Sequence, residues 1–132
     1  MLKDVFELKT HNRMELINIT TEVNFIIEKS SIKTGLVNIY SKHSTSGIVV
    51  NEDEPGLLKD FQKALETLVP SNQNYKHDII DNNADSHIRS FLIGNSETIP
   101  LNNGKLDLGT WQSIFFVELD GPRTRKVTVT IV

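Results

Sequence analysis

Residues 74–87 read NYKHDIIDNNADSH, and the division of the chain into elements follows from how this run is taken. Its left part has no apolar period and reads as loop. With residues 71–83 it forms the longest loop in the chain, and long loops in compact domains carry function more often than short ones. Its right edge differs. Asn83 can cap a helix by accepting from an early backbone N–H. Residues 84–93 then read as a short helix, with Ile88, Phe91 and Leu92 on one face and Gly94 just past the end.

To the left lies a longer helix over residues 55–69. Leu57, Leu58, Phe61, Ala64, Leu65 and Leu68 recur with helical period. Pro55 suits the first helical position, Asp53 and Glu54 the positive end of the helix dipole, and Pro70 stops the run. Before it, residues 36–41 and 48–50 read as strands around His43-Ser44-Thr45-Ser46-Gly47. Residues 20–29 make a third helix, capped by Thr20 or Thr21, with Val23, Ile26 and Ile27 as its apolar stripe. Residues 4–10 and 14–20 alternate and form a hairpin about His11-Asn12-Arg13, which leaves His11 in solvent.

To the right, residues 97–101 and 105–108 flank Asn102-Asn103-Gly104, a strong hairpin turn because Asn-Gly accepts positive φ twice. Residues 113–119 form an apolar strand, Asp120-Gly121-Pro122-Arg123 a turn, and 125–132 a strand with Val127, Val129 and Ile131 on one face. The expectation is one α+β domain over residues 1–132: a mostly antiparallel sheet of about eight strands with three helices, strands standing on both sides of the helical segments.

The 132 residues suffice for one real core, and 38% apolar with 23% charged suits a globular chain. A net charge of −3 gives no reason to expect nucleic acid or a membrane surface as partner. No apolar run approaches the roughly 18 residues of a spanning helix, and residues 1–10 lack the apolar stretch of a signal peptide. With no cysteine, disulfides and thiolate ligands are excluded, and a metal would have to use histidine, carboxylate or water. The cytoplasm is the expected compartment.

Three histidines stand out. His87 falls in the first turn of its helix, His77 in the preceding loop, and His43 closes the apolar run LVNIYSKH. The reading is that all three meet around a metal ion or an anionic substrate. Their spacings match no local zinc signature, so separate surface histidines are the plainer alternative. The hydroxyls of Ser44, Thr45 and Ser46 beside Gly47 have the chemistry to cradle a phosphate, although a polar turn is the simpler account. Glu52 ends a strand nine residues after His43.

In order, HSTS (43–46), NE (51–52), YKH (75–77), NNADSH (82–87), LGTWQ (108–112) and DGPR (120–123) resemble the YjbQ-like family, also called secondary thiamine-phosphate synthase enzymes. The resemblance covers nearly the whole chain. It implies a homotrimer with a divalent metal site, zinc in the first place, near a subunit interface and held by His43, His77 and His87. Three imidazoles leave one tetrahedral position open, as in catalytic zinc sites. His77 doubles as a catalytic residue, Glu52 is placed as general base and Arg123 as a bidentate phosphate clamp, with a turn residue bridging to a neighbouring acid as the equal alternative for Arg123. Ser44, Thr45, Asn83 and Glu54 complete the binding set, and Asp78, Asp81 and Asp85 are candidates to orient the histidines. Trp111 reads as a core or interface anchor. The implied function is metal-dependent chemistry on a phosphorylated small molecule, weak thiamine-phosphate formation being the named case. The alternative is a non-catalytic homotrimer that binds a metal or a phosphorylated metabolite.

Overall fold

The computed structural model describes residues 1–132. Eight strands and three α-helices follow in the order β1 (Leu2–Lys9), β2 (Glu15–Asn18), α1 (Thr20–Ser30), β3 (Gly35–Ser41), β4 (Ser46–Glu52), α2 (Pro55–Leu68), α3 (Ala84–Ile93), β5 (Ser96–Asn102), β6 (Lys105–Leu106), β7 (Gln112–Glu118) and β8 (Thr124–Ile131). A single 3-10 turn, Lys76–Ile79, precedes α3. The expected α+β class holds, but the strands divide into two sheets. One is ordered β1-β8-β3-β5-β6, the other β2-β7-β4, and every pairing is antiparallel. The expected hairpin of residues 4–20 does not form: β1 pairs with β8 and β2 with β7, one in each sheet.

Alternation explains the core. Val127, Val129 and Ile131 of β8 meet Val37 and Ile39 of β3, Ile48 of β4, and Ile114 and Phe116 of β7. The α1 stripe of Val23, Ile26 and Ile27 closes that cluster. The opposite side chains of β7 and α2 supply a smaller one, Val117 with Leu65 and Leu119. The Asn103-Gly104 turn takes positive φ at both residues, 52° and 78°, as the sequence requires.

Two caps fall elsewhere than expected. Helix α1 begins at Thr20 itself, whose N–H donates to the Asn18 side chain at 3.0 Å and whose Oγ1 accepts from Ile114 N–H at 2.9 Å. At α3, the Asn83 side chain makes no capping bond, and Asp78 Oδ1 accepts from Ala84 N–H at 2.9 Å instead. Nor does α3 bury the face its apolar residues suggest. Ala84, Asp85, Ser86 and Arg89 point inward, while Phe91 is 87% and Leu92 62% exposed. Trp111 is 73% exposed and takes no part in the chain's own core.

Candidate functional site

The inward face of α3 is polar because its partners are carbonyls and an ion-pair cluster. Ser86 donates to Leu119 O at 2.5 Å, and buried Arg89 donates to Val69 O at 2.7 Å. Asp85, also buried, accepts from Arg13 at 2.9 Å and Ser71 at 2.9 Å, and lies 3.1 Å from Arg89. Burial alone would raise its carboxyl. The hydrogen bonds from Arg13 and Ser71, with the charges of Arg13 and Arg89, overcome this and hold it at about 2. The same contact raises Arg13. This cluster anchors α3 and hence His87 in its first turn.

His77, in the 3-10 turn, meets His87 edge-on, with ring centroids 4.8 Å apart and planes at 77°. The loop and helix-start histidines therefore do converge. Asn83 lies between the turn and the helix: its Oδ1 is 3.1 Å from His77 Nε2, and its Nδ2 donates to Asp120 Oδ2 at 2.9 Å. Arg123 donates to both Asp120 O (2.8 Å) and Asp120 Oδ2 (3.1 Å). Three of the predicted site residues are thus joined through Asp120. Nothing in DGPR marks Asp120 for a role, since an acid followed by Gly-Pro looks like a turn residue until its distant partner Asn83 is known. Of the three acids near the histidines, only Asp81 faces an imidazole, with Oδ2 3.9 Å from His77 Nε2. Asp78 caps α3, and Asp85 serves the arginines.

A cleft of about 260 Å³ is lined by Ser44, His87, Ser90, Phe91, Gly94 and Asn95. A second, of about 500 Å³, takes in Tyr75, His77, His87, Ile88 and Phe91. His87 and Phe91 form part of both. The HSTS loop beside the first cleft is tied down from within. Ser41 and Ser46 hydroxyls bond each other at 2.6 Å, and Ser46 also donates to His43 O at 2.8 Å. Thr45 is buried, with Oγ1 accepting from Arg125 at 2.9 Å. Arg125 in turn pairs with the fully buried Glu118, which also accepts from Thr10 at 2.7 Å. Burial would raise Glu118, but Arg125, the Asp120 N–H and Thr10 together lower it.

His43 does not join the pair inside one chain. Its Nε2 accepts from Lys126 N–H of β8 at 3.0 Å, so the proton of the neutral ring sits on Nδ1. Desolvation, then the charge of Arg125, lowers its pKa, which favours that neutral form. Glu52 lies at the far end of β4 from the His43 loop. Six steps of strand put it about 20 Å from Ser46, in an apolar groove with Leu16, Val49, Leu57, Phe61 and Phe115. Glu54 is occupied as the α2 cap, accepting from the N–H groups of Gly56 and Leu57.

Both rings of the His77–His87 pair carry nitrogens of the kind that ligate divalent metals. An ion about 2.0–2.1 Å from an imidazole nitrogen stands roughly 3.2 Å from the ring centre, so two ligands at a near-tetrahedral angle have centres about 5 Å apart. The observed 4.8 Å is close to that separation, and it is equally the ordinary spacing of two rings packed edge-on. No three His, Asp or Glu side chains of the single chain are grouped to hold one ion.

An α+β domain of two antiparallel sheets, carrying a histidine pair at the start of a helix braced by buried ion pairs, is the class that fold and site define. The model for the UPF0047 protein YjbQ-like family matches residues 4–132. A UPF0047 protein of Methanothermobacter thermautotrophicus is 53% identical over 124 residues, 94% of this chain and 87% of that one. The UPF0047 protein YugU of Bacillus subtilis is 38% identical over 129 residues, 95% and 94% of the two chains. A YbjQ-like protein of unknown function from Sulfolobus solfataricus superposes with a TM-score of 0.96 at 42% identity, covering 98% of this chain and 95% of that one. A hypothetical protein of Aeropyrum pernix gives 0.97 at 36% identity, covering 100% and 98%. The chain belongs to the YjbQ/UPF0047 family. No helix is long and apolar enough to cross a membrane.

Proposed function

We propose that this protein is a metal-dependent enzyme acting on a phosphorylated small molecule in the cytoplasm, with a divalent ion, zinc in the first place, held by His77, His87 and His43. The observation that carries the reading is the 4.8 Å approach of the His77 and His87 rings. His43 does not reach the pair within one chain, so in its neutral form it would be the third donor from a neighbouring copy, once it gives up Lys126 N–H. A divalent ion bound there would supply charge neutralisation at a phosphoryl oxygen or a more acidic water. The chain's own groups do the rest. Ser44 lines the cleft beside His87 and offers a hydroxyl to the phosphate. Arg123 keeps Nη1 for a phosphate oxygen while Nε and Nη2 hold Asp120. Glu52 and Glu54 lie outside this cleft in the single chain, so a general-base role for Glu52 requires a second copy. A homotrimer is the assembly we assign. Support comes from Ile79, Ile80 and Phe91, large apolar side chains near the two histidines in sequence that one chain leaves exposed.

The test is turnover of a panel of phosphate esters and diphosphates, with the thiazole phosphate and pyrimidine diphosphate pair of thiamine phosphate included, by zinc-loaded protein. The reading expects product, and loss of product in His77→Ala with unchanged circular dichroism. Zinc binding that needs the histidines while no compound is consumed would favour a non-catalytic binding protein.

A further inference from the structure

We propose that Asp120 and Asn83 are positioning residues for His77: they fix its imidazole as the Nε2–H tautomer, so that Nδ1 is the nitrogen the ring presents to a ligand. The use of that nitrogen rests on the metal site proposed above. The tautomer itself rests only on hydrogen-bond directions.

A carboxamide has one donating end and one accepting end. Asp120 decides which end of Asn83 faces which way. Its Oδ2 lies 2.9 Å from Asn83 Nδ2, and only the amide NH₂ can donate to a carboxylate. The accepting Oδ1 is therefore the end directed at His77, 3.1 Å from Nε2. An acceptor there requires the hydrogen to be on Nε2. The other group near that nitrogen, Asp81 Oδ2 at 3.9 Å, is an acceptor too. With the proton on Nε2, the lone pair of the neutral ring is on Nδ1.

Asp120 is itself fixed. Arg123 holds its backbone oxygen and Oδ2, and Arg13 Nε stands 3.9 Å from Oδ1. The chain of contacts runs from two guanidinium groups through Asp120 and Asn83 to His77. His87 packs edge-on against the ring so oriented. Outer partners of this kind typically change metal affinity by about 10- to 100-fold when removed.

The test is long-range proton–nitrogen correlation on ¹⁵N-labelled, metal-free protein, at a pH where the rings are neutral. His77 should show one tautomer, with a protonated-type Nε2 and an unprotonated-type Nδ1. Exposed His11 should show the averaged shifts of an interchanging ring and serves as reference. Asn83→Leu should move the His77 shifts toward those of His11. Asp120→Asn, which lets the amide turn, should give a mixture of tautomers, and the exchanged pair Asn83→Asp with Asp120→Asn, which keeps an acceptor at His77 Nε2 and a donor–acceptor contact between positions 83 and 120, should restore the single form. A wild-type His77 protonated on Nδ1, or averaged like His11, overturns the proposal, as does an Asn83→Leu spectrum unchanged at His77. Titration with Zn²⁺ alone should then show Asn83→Leu weakened by about 10- to 100-fold and the exchanged pair Asn83→Asp with Asp120→Asn near wild type. Should wild-type protein bind no zinc while the shifts behave as stated, the metal reading falls and the tautomer assignment stands. Equal zinc affinity in wild type and Asn83→Leu removes the positioning role.

Discussion

Asp85 sits one residue into α3, 3% exposed, against two guanidinium groups and a serine hydroxyl. Arg89 beside it is 2% exposed, so removing the acid strands a buried cation. Asp85→Ala should cost about 3 kcal/mol in urea unfolding, the usual scale for a broken buried pair. Asp4→Ala, which breaks the half-exposed Lys29 contact at 3.4 Å, should cost less than about 1 kcal/mol. The pH dependence has a definite sign. The folded-state carboxyl lies at about 2, below its ordinary 3.8, so the unfolded chain takes up this proton first as the solution is acidified. The stability it supplies is complete above about pH 5 and is lost as pH falls toward 2. The wild type's margin over Asp85→Asn should therefore be flat at neutral pH and shrink below pH 4. The sequence marked Asp78, Asp81 and Asp85 alike as partners for histidine. Residue type told that acids gather here; it could not tell that Asp85 would instead meet Arg13, 72 positions away.

At the scale of elements, α2 was the easiest helix to read, from Pro55, the Glu54 cap and the leucine period, and its bounds came within a residue. Helix α3 shows the limit. Its extent was legible, but its orientation was not. An apolar stripe of Ile88, Phe91 and Leu92 normally points inward. Here Ser86 and Arg89 satisfy the carbonyls of Leu119 and Val69, contacts made across the fold that no local period encodes. The same holds for its cap. Asp78→Ala should destabilise the protein by about 1 kcal/mol by orphaning Ala84 N–H, measured by denaturant unfolding. Close packing of α3 on β4 is set by Gly47. A Cβ there would lie 2.3 Å from Ile93 Cδ1 and 2.9 Å from Gly94 O. Gly47→Ala should cost about 1–3 kcal/mol.

For the whole molecule, strand count and antiparallel character were readable from alternation and turns. The division into two sheets was not, because β1 finds its partner in β8 at the other end of the chain. Phe91 at 87% and Ile79 at 90% exposure stand beside the histidine pair, and the proposed trimer must cover them. Phe91→Asp should lower the mass seen by light scattering from three chains to one while circular dichroism stays unchanged. The histidine pair emerged because its two members lie only ten positions apart and a helix start fixes one of them. His43 was harder, since its present partner is a backbone N–H on β8.

The most direct measurement is an anomalous difference map at the zinc edge from crystals grown with Zn²⁺. A peak is expected at every His77–His87 pair, about 2.0–2.1 Å from His77 Nδ1 and from a ring nitrogen of His87, with His43 of a neighbouring copy as third donor. A map with no peak between those two rings, or with zinc bound only elsewhere, would contradict the proposed metal site.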